Sequence, residues 1–268
     1  MNVQSKVFIV TGGGNGIGRE LVLLLLKKGA RVAAVDISEK ALQETFDMAG
    51  SHKDRLSIHV VNIADRAAVE ALPDAVIAAH KAVDGLINCA GIIQKFVRFN
   101  DLPYSEIDRV INVNLYGTLF MTKTFLPHLL KRSEGIIVNV SSMGGFLPVP
   151  GQTIYGSSKA AVKLFTEGLN SELTGTNVHV MGVFPGAIGT NIAANSGVGP
   201  LVSDPSKVQK GMKMSTPQFA AEEIIKGIEG NKYRVLVGSD AKLMDFLSRM
   251  VPKQAAKFIY KSMGHLLD

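Results

Sequence analysis

Apolar residues in this chain fall into short runs rich in valine and isoleucine, separated by longer segments with apolar positions at helical spacing. Most runs are bounded by glycine, asparagine, aspartate or serine. This pattern is typical of buried strands that alternate with helices. The predicted strands are residues 6–10, 31–36, 56–61, 85–91, 135–142, 177–186 and 234–237. The predicted helices are residues 19–28, 38–50, 65–80, 104–132, 155–175 and 217–229.

Strands that are apolar on both faces and alternate with helices predict a parallel sheet covered by helices on both sides. We therefore predict an α/β fold of the Rossmann type, with a doubly wound parallel sheet in a single domain. With 268 residues, 46% of them hydrophobic, the chain can bury a substantial core. We expect the domain to cover residues 1–240 and to be followed by a C-terminal extension, residues 241–268.

Composition narrows the expected cellular location of the protein and the classes of partner that it binds. The single cysteine, Cys89, excludes an internal disulfide and fits a reducing compartment. The N-terminal residues show no export signal, and the longest apolar run, residues 21–26, is far too short to span a membrane. We therefore expect a cytoplasmic location. The net charge of +6 is modest and its cations are scattered, so nucleic acid is not an expected partner.

The histidines do not predict a metal site, because none has a neighbour at metal-ligand spacing. We interpret all six as structural or surface residues. Two lie in predicted strands and four are predicted to be exposed on loops or helices. The first two are His59 and His179, and the other four are His52, His80, His128 and His265.

A glycine-rich turn, TGGGNGIG at residues 11–18, joins the first predicted strand to the first predicted helix. Glycines let the backbone turn sharply and approach a pyrophosphate, and the start of a helix offers it free N–H groups. The alternative is a glycine-rich loop without a ligand. The next strand ends at Asp36, about 20 residues past the glycines, where a carboxylate accepts hydrogen bonds from ribose hydroxyls. Asp36 could instead cap the next helix, although Ser38 is also placed to do so.

The charge around Asp36 favours one form of the cofactor. A carboxylate there repels a 2′-phosphate, and neither Asn15 nor Ile37 is a cation that would bind one. We therefore predict NAD(H) rather than NADP(H). Ligands of such sheets bind at the carboxyl ends of the strands. The residues expected to gather at that edge are Gly12, Asp36, Asn62 and residues 88–91.

Ser142, Tyr155 and Lys159 form the candidate catalytic group. Tyr155 and Lys159 are four residues apart, so on a helix they lie on the same face. An ammonium group beside the phenol lowers the pKa of the phenol toward use as a base. A predicted strand delivers Ser142 to the same sheet edge. This arrangement predicts proton transfer to or from an alcohol, although tyrosine and lysine at this spacing are also common on ordinary helices.

The predicted helix 104–132 contains Asn112 and Asn114, and asparagine is a mediocre residue for a helix interior. We expect at least one of them to bond backbone or to hold a water near the site. For Asn112 a structural role is equally expected.

The helix and strand pattern stops after Pro185, and we interpret residues 187–215 as a substrate lid. Apolar side chains in this segment and after Ser142 predict a pocket with largely apolar walls. They are Ile188, Ile192, Leu201, Val202, Phe146, Leu147 and Val149.

The C-terminal extension combines apolar residues with cations at every fourth position, and Pro252 interrupts it. A basic amphipathic helix of this kind usually packs on its own domain or on a sister subunit, and in other proteins it lies on a membrane surface. The regularly spaced cations are Arg249, Lys253, Lys257 and Lys261.

Taken together, the motifs resemble those of the short-chain dehydrogenase/reductase family over roughly residues 5–240. TGGGNGIG is similar to the family's TGxxxGIG turn, NCAG at residues 88–91 to its NNAG, and YGSSK at residues 155–159 to its YxxxK. PGAIGT at residues 185–190 is similar to its PGxIxT element. The separation of Ser142 from the tyrosine is also the family's usual one.

Two positions depart from the family pattern. Asn62 stands where many members have an aspartate beside the adenine, and Cys89 replaces the second asparagine of NNAG. An amide still accepts a hydrogen bond, so we keep Asn62 as an adenine-side residue.

The resemblance implies hydride transfer between NAD(H) and an apolar secondary alcohol or its ketone. It implies that Tyr155 is the general acid/base, that Lys159 lowers its pKa and bonds the nicotinamide ribose, and that Ser142 orients the substrate oxygen. Asn114 would hold a water in the proton relay. The implied cofactor-binding residues are Gly12, Asn15, Gly16, Ile17, Gly18, Asp36, Asn62, Ile63, Asn88, Ala90, Gly91, Tyr155, Lys159, Pro185, Gly186, Ile188 and Thr190.

Two alternatives stay open from the sequence. One is a catalytically silent NAD-binding sensor or scaffold, and the other is the same enzyme associated peripherally with a membrane through its C-terminal extension. The resemblance also implies a homodimer or a homotetramer.

Overall fold

The computed structural model describes residues 1–198 and 214–267. The predicted lid is therefore described only in part, and Leu201 and Val202 lie outside the described residues. The strands are β1 (Val7–Thr11), β2 (Arg31–Asp36), β3 (Leu56–Val60), β4 (Gly85–Asn88), β5 (Gly135–Val140), β6 (Val178–Pro185) and β7 (Arg234–Val237). The helices are α1 (Gly16–Lys27), α2 (Glu39–Met48), α3 (Arg66–His80), α4 (Tyr104–Ile111), α5 (Gly117–Leu130), α6 (Thr153–Glu172), α7 (Ile192–Asn195), α8 (Pro217–Glu229), α9 (Ser239–Met250) and α10 (Pro252–Met263).

The seven strands form one parallel sheet in the order β3-β2-β1-β4-β5-β6-β7. In the register of the central strands, Ile9 lies beside Ala33 of β2 on one side and Leu86 of β4 on the other. The chain therefore winds outward from β1 in both directions, and the strand order reverses between β1 and β4. The carboxyl ends of these two strands border the crevice where ligands bind in such sheets. The predicted doubly wound fold is confirmed.

Each strand supplies side chains to both covering layers, because successive residues of a strand point to opposite faces. In β1, Phe8 and Val10 pack with residues of α1 and α8, whereas Ile9 packs with residues of α3 and α5. All three side chains are fully buried. This two-sided burial explains why the strands are continuous apolar runs in the sequence.

Polar side chains cap the N-terminal ends of several helices, at or next to the predicted helix starts. Ser38 accepts a hydrogen bond from the N–H of Ala41, which confirms it as the cap of α2. Asp65 caps α3 and Thr216 caps α8 in the same way. The helix α1 begins three residues earlier than predicted because Asn15 caps it, and its first turn therefore lies within the glycine turn.

The long predicted helix 104–132 is interrupted by a single π-helical turn. α4 runs into Asn112–Tyr116, where the hydrogen bonds skip one residue further than in an α-helix, and α5 follows directly. The N–H of Gly117 accordingly bonds the Asn112 carbonyl. This turn rotates the helix axis at Asn114, the only residue of the turn whose side chain is buried.

His80 is buried, so its predicted exposure is wrong. Its side chain is 5% exposed and lies against β2 and β3. The Nε2 atom of His80 is 2.8 Å from the Ser57 hydroxyl, which also lies 2.7 Å from Nε2 of His59. Arg31 Nε lies 3.3 Å from Nδ1 of His80. Burial, together with the nearby Arg31 and His59, lowers the pKa of His80 to about 4, so the ring is neutral at physiological pH.

The C-terminal extension forms α9 and α10, and Pro252 is the first residue of α10. Met244 of α9 and Ile259 of α10 are buried against Leu147, with Phe146 beside them. The extension therefore packs on its own domain. Leu147 is 2% exposed, so its predicted place in the wall of a substrate pocket is wrong, and it anchors the extension instead.

Candidate active site

The glycine turn between β1 and α1 passes too close to its neighbours for side chains. Gly12 has φ of +71°, and a Cβ atom there would lie 3.0 Å from the Ala90 Cα atom. A Cβ atom at Gly18 would collide with the Gly12 carbonyl. Since the N–H groups in the first turn of a helix have no intrahelical acceptor, those of Ile17 and Gly18 are available to an anion at this turn.

Asn15 and Thr190 border the same turn. The Asn15 side chain accepts a hydrogen bond from the Gly16 N–H at 3.1 Å and so acts as a cap. A Cβ atom at Gly16 would lie 3.4 Å from the Thr190 methyl carbon, so the loop after β6 lies over the start of α1.

The Asp36 carboxylate is held at the end of β2 by two backbone groups. One oxygen accepts from the Gly14 N–H and the other from the Ser38 N–H, each at 3.0 Å. Ile37 beside it is 68% exposed. Because Ser38 caps α2, Asp36 is not needed as the cap.

Arg19 was not found by sequence reasoning, although it follows the glycine motif directly. Its Nε donates to the Gly14 carbonyl at 2.9 Å, and its Nη2 donates to Glu44 at 2.8 Å. A cation therefore lies beside the glycine turn, but a carboxylate of α2 already neutralises it.

The residues after β4 are divided between the site and the core. The Thr11 hydroxyl accepts from the N–H groups of Cys89 and Ala90, which shapes the loop that faces Gly12. The amide of Asn88 instead donates to Thr122 and to Asn139, at 3.0 and 2.9 Å. Asn88 is 3% exposed and its side chain joins β4 to β5 and α5 rather than reaching the sheet edge. Burial raises the pKa of Cys89 to about 12, which keeps it a thiol.

Asn62 and Ile63 are the residues predicted on the adenine side, and their side chains only partly fit the predicted cofactor contact. Asn62 is exposed and its Oδ1 accepts from the Ala64 N–H at 3.0 Å. Ile63 is 7% exposed and packs against Gly117 at the start of α5. Its side chain belongs to the core, and only its backbone is left for the predicted cofactor contact.

Asn114 bonds the backbone of the loop after β4 in both directions. Its Oδ1 accepts from the Ile92 N–H at 2.9 Å, and its Nδ2 donates to the Ile92 carbonyl at 2.9 Å and to the Ser158 hydroxyl at 3.0 Å. Of the two predicted roles, bonding backbone is confirmed, and the water-holding role stays a prediction. Asn112 is exposed.

Ser142 and Tyr155 meet across Gly144. The Ser142 hydroxyl accepts from the Gly144 N–H at 3.0 Å, and a Cβ atom at Gly144 would lie 3.4 Å from both the Ser142 hydroxyl and the Tyr155 ring. Burial raises the pKa of Tyr155, and a hydrogen bond with Ser142 acts in the opposite direction. The net shift is upward because burial outweighs this hydrogen bond, and Lys159 is not among the groups that lower the pKa of Tyr155, so the expected lowering by Lys159 stays a prediction.

Lys159 is 4% exposed, and its Nζ donates to the Val140 carbonyl at 3.0 Å. Burial lowers the pKa of this ammonium group to about 8. A Cβ atom at Gly91 would lie 3.0 Å from Lys159 Nζ and 3.3 Å from Asn114 Oδ1. The lysine therefore borders the glycine of the NCAG loop together with Asn114.

Gln94 positions the start of α6, and sequence reasoning missed it. Its side chain is fully buried, and its Oε1 accepts from the N–H groups of Ile154 and Tyr155, both at 3.0 Å. Its Nε2 donates to the Gly151 carbonyl. The residue at the N-cap of α6, Gln152, makes no cap bond with its own side chain. No motif marks Gln94, because its contacts join segments far apart in the chain.

The loop after β6 is fastened by the end of β7 and the first turn of α9. The Gly186 N–H donates to the Val237 carbonyl, and the Ala187 N–H donates to Asp240 in the first turn of α9 at 2.7 Å. Ile188 pairs with Ser215 through backbone hydrogen bonds. Sequence reasoning also missed Asp240, because no motif marks it and its contact joins segments far apart in the chain.

These contacts bring most of the predicted residues to one sheet edge. The side chains of Asn88 and Ile63 are the ones placed in the core, and Pro185 is buried at the end of β6. The residues joined by the contacts described above are Gly12, Asn15, Gly16, Ile17, Gly18, Asp36, Ala90, Gly91, Asn114, Ser142, Tyr155, Lys159, Gly186, Ile188 and Thr190.

Comparisons with known proteins agree with this fold. Residues 6–199 match a family model described as short chain dehydrogenase. A SadH protein of Mycobacterium tuberculosis, described as a candidate oxidoreductase, is 35% identical over 253 residues, which cover 92% of this chain and 91% of SadH.

Two solved structures from Burkholderia share the fold. A short chain dehydrogenase/reductase of Burkholderia phymatum in complex with NAD matches with a TM-score of 0.82 and 24% identity, over 93% of this chain and 96% of that chain. A short chain dehydrogenase of Burkholderia cenocepacia in complex with NADP matches with a TM-score of 0.79 and 25% identity, over 97% of this chain and 99% of that chain.

Proposed function

Because the chain belongs to the short-chain dehydrogenase family of oxidoreductases, we propose that it transfers a hydride between NAD(H) and an uncharged secondary alcohol or its ketone. The observation that carries this proposal is the meeting of Ser142 and Tyr155 across Gly144, with Lys159 one helical turn away. They lie at the sheet edge that also holds the glycine turn. A proton-transferring group and a dinucleotide cradle at one edge are what alcohol oxidation and ketone reduction need.

The residues of the glycine turn fit a nicotinamide dinucleotide. Cβ atoms at Gly12 and Gly18 have no room, the first turn of α1 offers free N–H groups, and the Asp36 carboxylate is held at the end of β2. When bound, this cofactor supplies the ring carbon that accepts or donates the hydride. Ile17 and Gly18 would bind its pyrophosphate, and Asp36 its adenosine ribose.

Our preference for NAD(H) rests on the residues of this chain, since the Burkholderia structures contain NAD in one case and NADP in the other. Asp36 would repel a 2′-phosphate, and the exposed Ile37 offers it no charge. Arg19, the cation beside the turn, is paired with Glu44.

Tyr155 is the proposed general acid and base. In ketone reduction its phenol gives a proton to the substrate oxygen, and in alcohol oxidation its oxygen takes that proton back. Because burial raises the pKa of Tyr155, the phenol is the resting form at neutral pH and is ready as the proton donor. The Ser142 hydroxyl, held by the Gly144 N–H, is placed to orient the substrate oxygen. Asn114 keeps the loop at Ile92 in place, and we retain the relay water as a prediction.

The segments that border this group favour an uncharged substrate. Residues 88–94, 142–158 and 185–199 contain no Asp, Glu, Lys or Arg. These three segments would therefore give an anionic or cationic substrate no counter-charge in exchange for its lost hydration. Apolar residues of these segments support an apolar skeleton around the reacting carbon, which is consistent with the partly buried Ile192 of α7.

The test is a turnover screen with steroids, retinoids, aliphatic alcohols, sugars and the matching ketones, followed by NADH absorbance. We expect NADH-dependent turnover of at least one uncharged hydroxy or keto compound. If the protein is instead a catalytically silent sensor or scaffold, NADH binds but no compound of the screen is turned over. That result would contradict our proposal.

We also propose a homodimer or a homotetramer. Large apolar side chains on the outer faces of the central helices support a subunit interface, among them Leu164 at 69% exposed and Tyr116 stacked on Phe120. Light scattering on the purified protein should give two or four times the chain mass of 28.7 kDa, whereas a monomer would contradict this assembly.

A further inference from the structure

The outer side of α9 carries an apolar stripe. Leu243, Phe246 and Met250 follow the i, i+3, i+7 spacing of one helix face and are 54%, 61% and 66% exposed. The buried residues of α9, Ala241 and Met244, lie on the opposite side, against the domain. The stripe therefore points away from the core and is covered by none of the described residues.

The outer side of α10 carries a stripe of cations. Lys253, Lys257 and Lys261 are spaced four residues apart, and all three are exposed. Ala255 and Ile259, the buried residues of α10, lie on the opposite side. Because α9 and α10 pack against each other and bury Met244, Ala255 and Ile259 in one cluster, both stripes point away from that cluster, and we call the two stripes together the outer face.

The exposed charges of the two helices have a single sign. Their only acidic residues are Asp240 and Asp245. Asp240 accepts from the Ala187 N–H, and Asp245, whose side chain is 13% exposed, pairs with Arg234 of β7 and with Arg249 of α9. Both carboxylates therefore face the domain and leave the outer face positive.

We propose that the outer face is a docking surface for an anionic lipid bilayer. Exposed Leu, Phe and Met side chains suit the boundary between headgroups and acyl chains, and the neighbouring lysines suit lipid phosphates. The helices would lie on the bilayer, because no helix in the described part of the chain is long and apolar enough to cross one. The proposal goes beyond hydride transfer and does not depend on it.

A second copy of this chain is the less suitable occupant. A two-fold interface pairs this patch with itself, so each lysine of the outer face would need an acidic partner on the same face of the other copy, and α9 and α10 offer none there. Like charges that lose their water repel strongly. Lipid phosphates supply the opposite charge instead.

The test is co-sedimentation of the full chain with vesicles of phosphatidylcholine alone or mixed with phosphatidylserine. Two triple variants remove the two stripes separately. They are L243Q/F246Q/M250Q and K253Q/K257Q/K261Q, and the control, K40Q/K123Q/K232Q, removes three exposed lysines elsewhere.

We expect the wild type and the control to bind the phosphatidylserine vesicles, and each stripe variant to bind them at least about tenfold more weakly. Added salt should weaken binding of the wild type. The proposal is overturned if the wild type does not pellet with the charged vesicles, or if both stripe variants pellet as the wild type does. It is also overturned if the stripe variants change only the oligomeric state seen by light scattering. Unchanged melting temperatures confirm that the variants are folded.

Discussion

At the scale of single residues, the backbone of the proposed catalytic tyrosine, Tyr155, is held by a glutamine 61 positions before it. Gln94 satisfies the N–H groups of Ile154 and Tyr155, which the first turn of α6 cannot satisfy itself. Because the site is buried, the loss of this acceptor leaves two unpaired donors at a cost of about 1–3 kcal/mol each. The start of α6 would then shift or fray, and the phenol would move with it.

We therefore predict that Gln94→Leu lowers kcat by about tenfold or more, with little change in the KM for NADH, because a misplaced acid/base affects the reaction more than cofactor binding. Gln94→Glu keeps the accepting oxygens and should recover part of the kcat. Gln218→Leu, at an exposed position, is the control. A Gln94→Leu enzyme with wild-type kcat, or an equal loss in all three variants, would refute this positioning role.

In our proposal, Asp36 and its neighbour Ile37 decide between NAD(H) and NADP(H). Ile37 is 68% exposed, so Ile37→Arg adds a cation beside the ribose site without disturbing the core. We expect the wild type to bind NADH more tightly than NADPH, and the variant to shift the ratio toward NADPH by about tenfold, or about 1.4 kcal/mol. Fluorescence titrations measure both constants, with the exposed Leu130→Arg as the control. Tighter NADPH binding by the wild type would contradict the NAD(H) preference.

Residues whose roles depend on local sequence were predictable, and those that bridge distant segments were not. Ser38 is read from its place before a helix, and the glycine turn from its own spacing. Gln94 and Asp240 act on backbone groups more than 50 residues away, so no local pattern reveals them. For Asn88 the local pattern misleads. The NCAG motif predicts a cofactor contact, whereas the side-chain amide of Asn88 donates hydrogen bonds to Thr122 and Asn139 in the core.

At the scale of elements, the histidine at the end of α3 links stability to pH. The pKa of His80 is lowered from 6.5 to about 4 by burial, with Arg31 and His59 contributing. Between these values the unfolded chain binds a proton that the folded chain does not. His80 therefore leaves stability unchanged above this window and lowers it as the pH falls through it.

We predict that the free energy of unfolding in urea falls between neutral pH and about pH 5. His80→Gln keeps a hydrogen-bonding side chain without the titration, and it should remove up to about 2 kcal/mol of this fall. The exposed His179→Gln is the control. An unchanged pH profile in His80→Gln would show that the ring is not the titrating group.

Elements themselves were predictable because each has its own periodicity. All seven strands lie where the apolar runs predict them, and the break at Pro252 separates α9 from α10. The π-helical turn at Asn112–Tyr116 was not predicted, and it contains Asn114, whose bonds to the Ile92 backbone have no local sequence signal. The sequence leaves open what the extension packs against, because its partner Leu147 lies in a loop with no periodic pattern.

At the scale of the whole molecule, α9 joins the loop after β6 to the loop after Ser142. Asp240 holds the loop after β6 at Ala187, and Met244 packs on Leu147 in the loop after Ser142. Arg234 pairs with Asp245 and lies 4.5 Å from the centre of the Phe184 ring. α9 therefore helps to hold the two loops that border the candidate site, while the outer face of α9 and α10 points away from them.

The fold class and the catalytic edge follow from the sequence because parallel sheets gather their ligands at one edge. The sequence does not identify the substrate, because the apolar pocket walls that it predicts include residues such as Leu147, which the extension covers. The central claim is that the Tyr155 hydroxyl exchanges the proton of the reaction.

That claim is tested most directly by the turnover of Tyr155→Phe, which removes only the hydroxyl, measured together with its affinity for NADH. The exposed Tyr116→Phe serves as the matched control. We predict that Tyr155→Phe binds NADH within about twofold of the wild type and that its kcat falls by a factor on the order of 10² to 10⁴. A Tyr155→Phe enzyme with the turnover of the wild type would contradict the account.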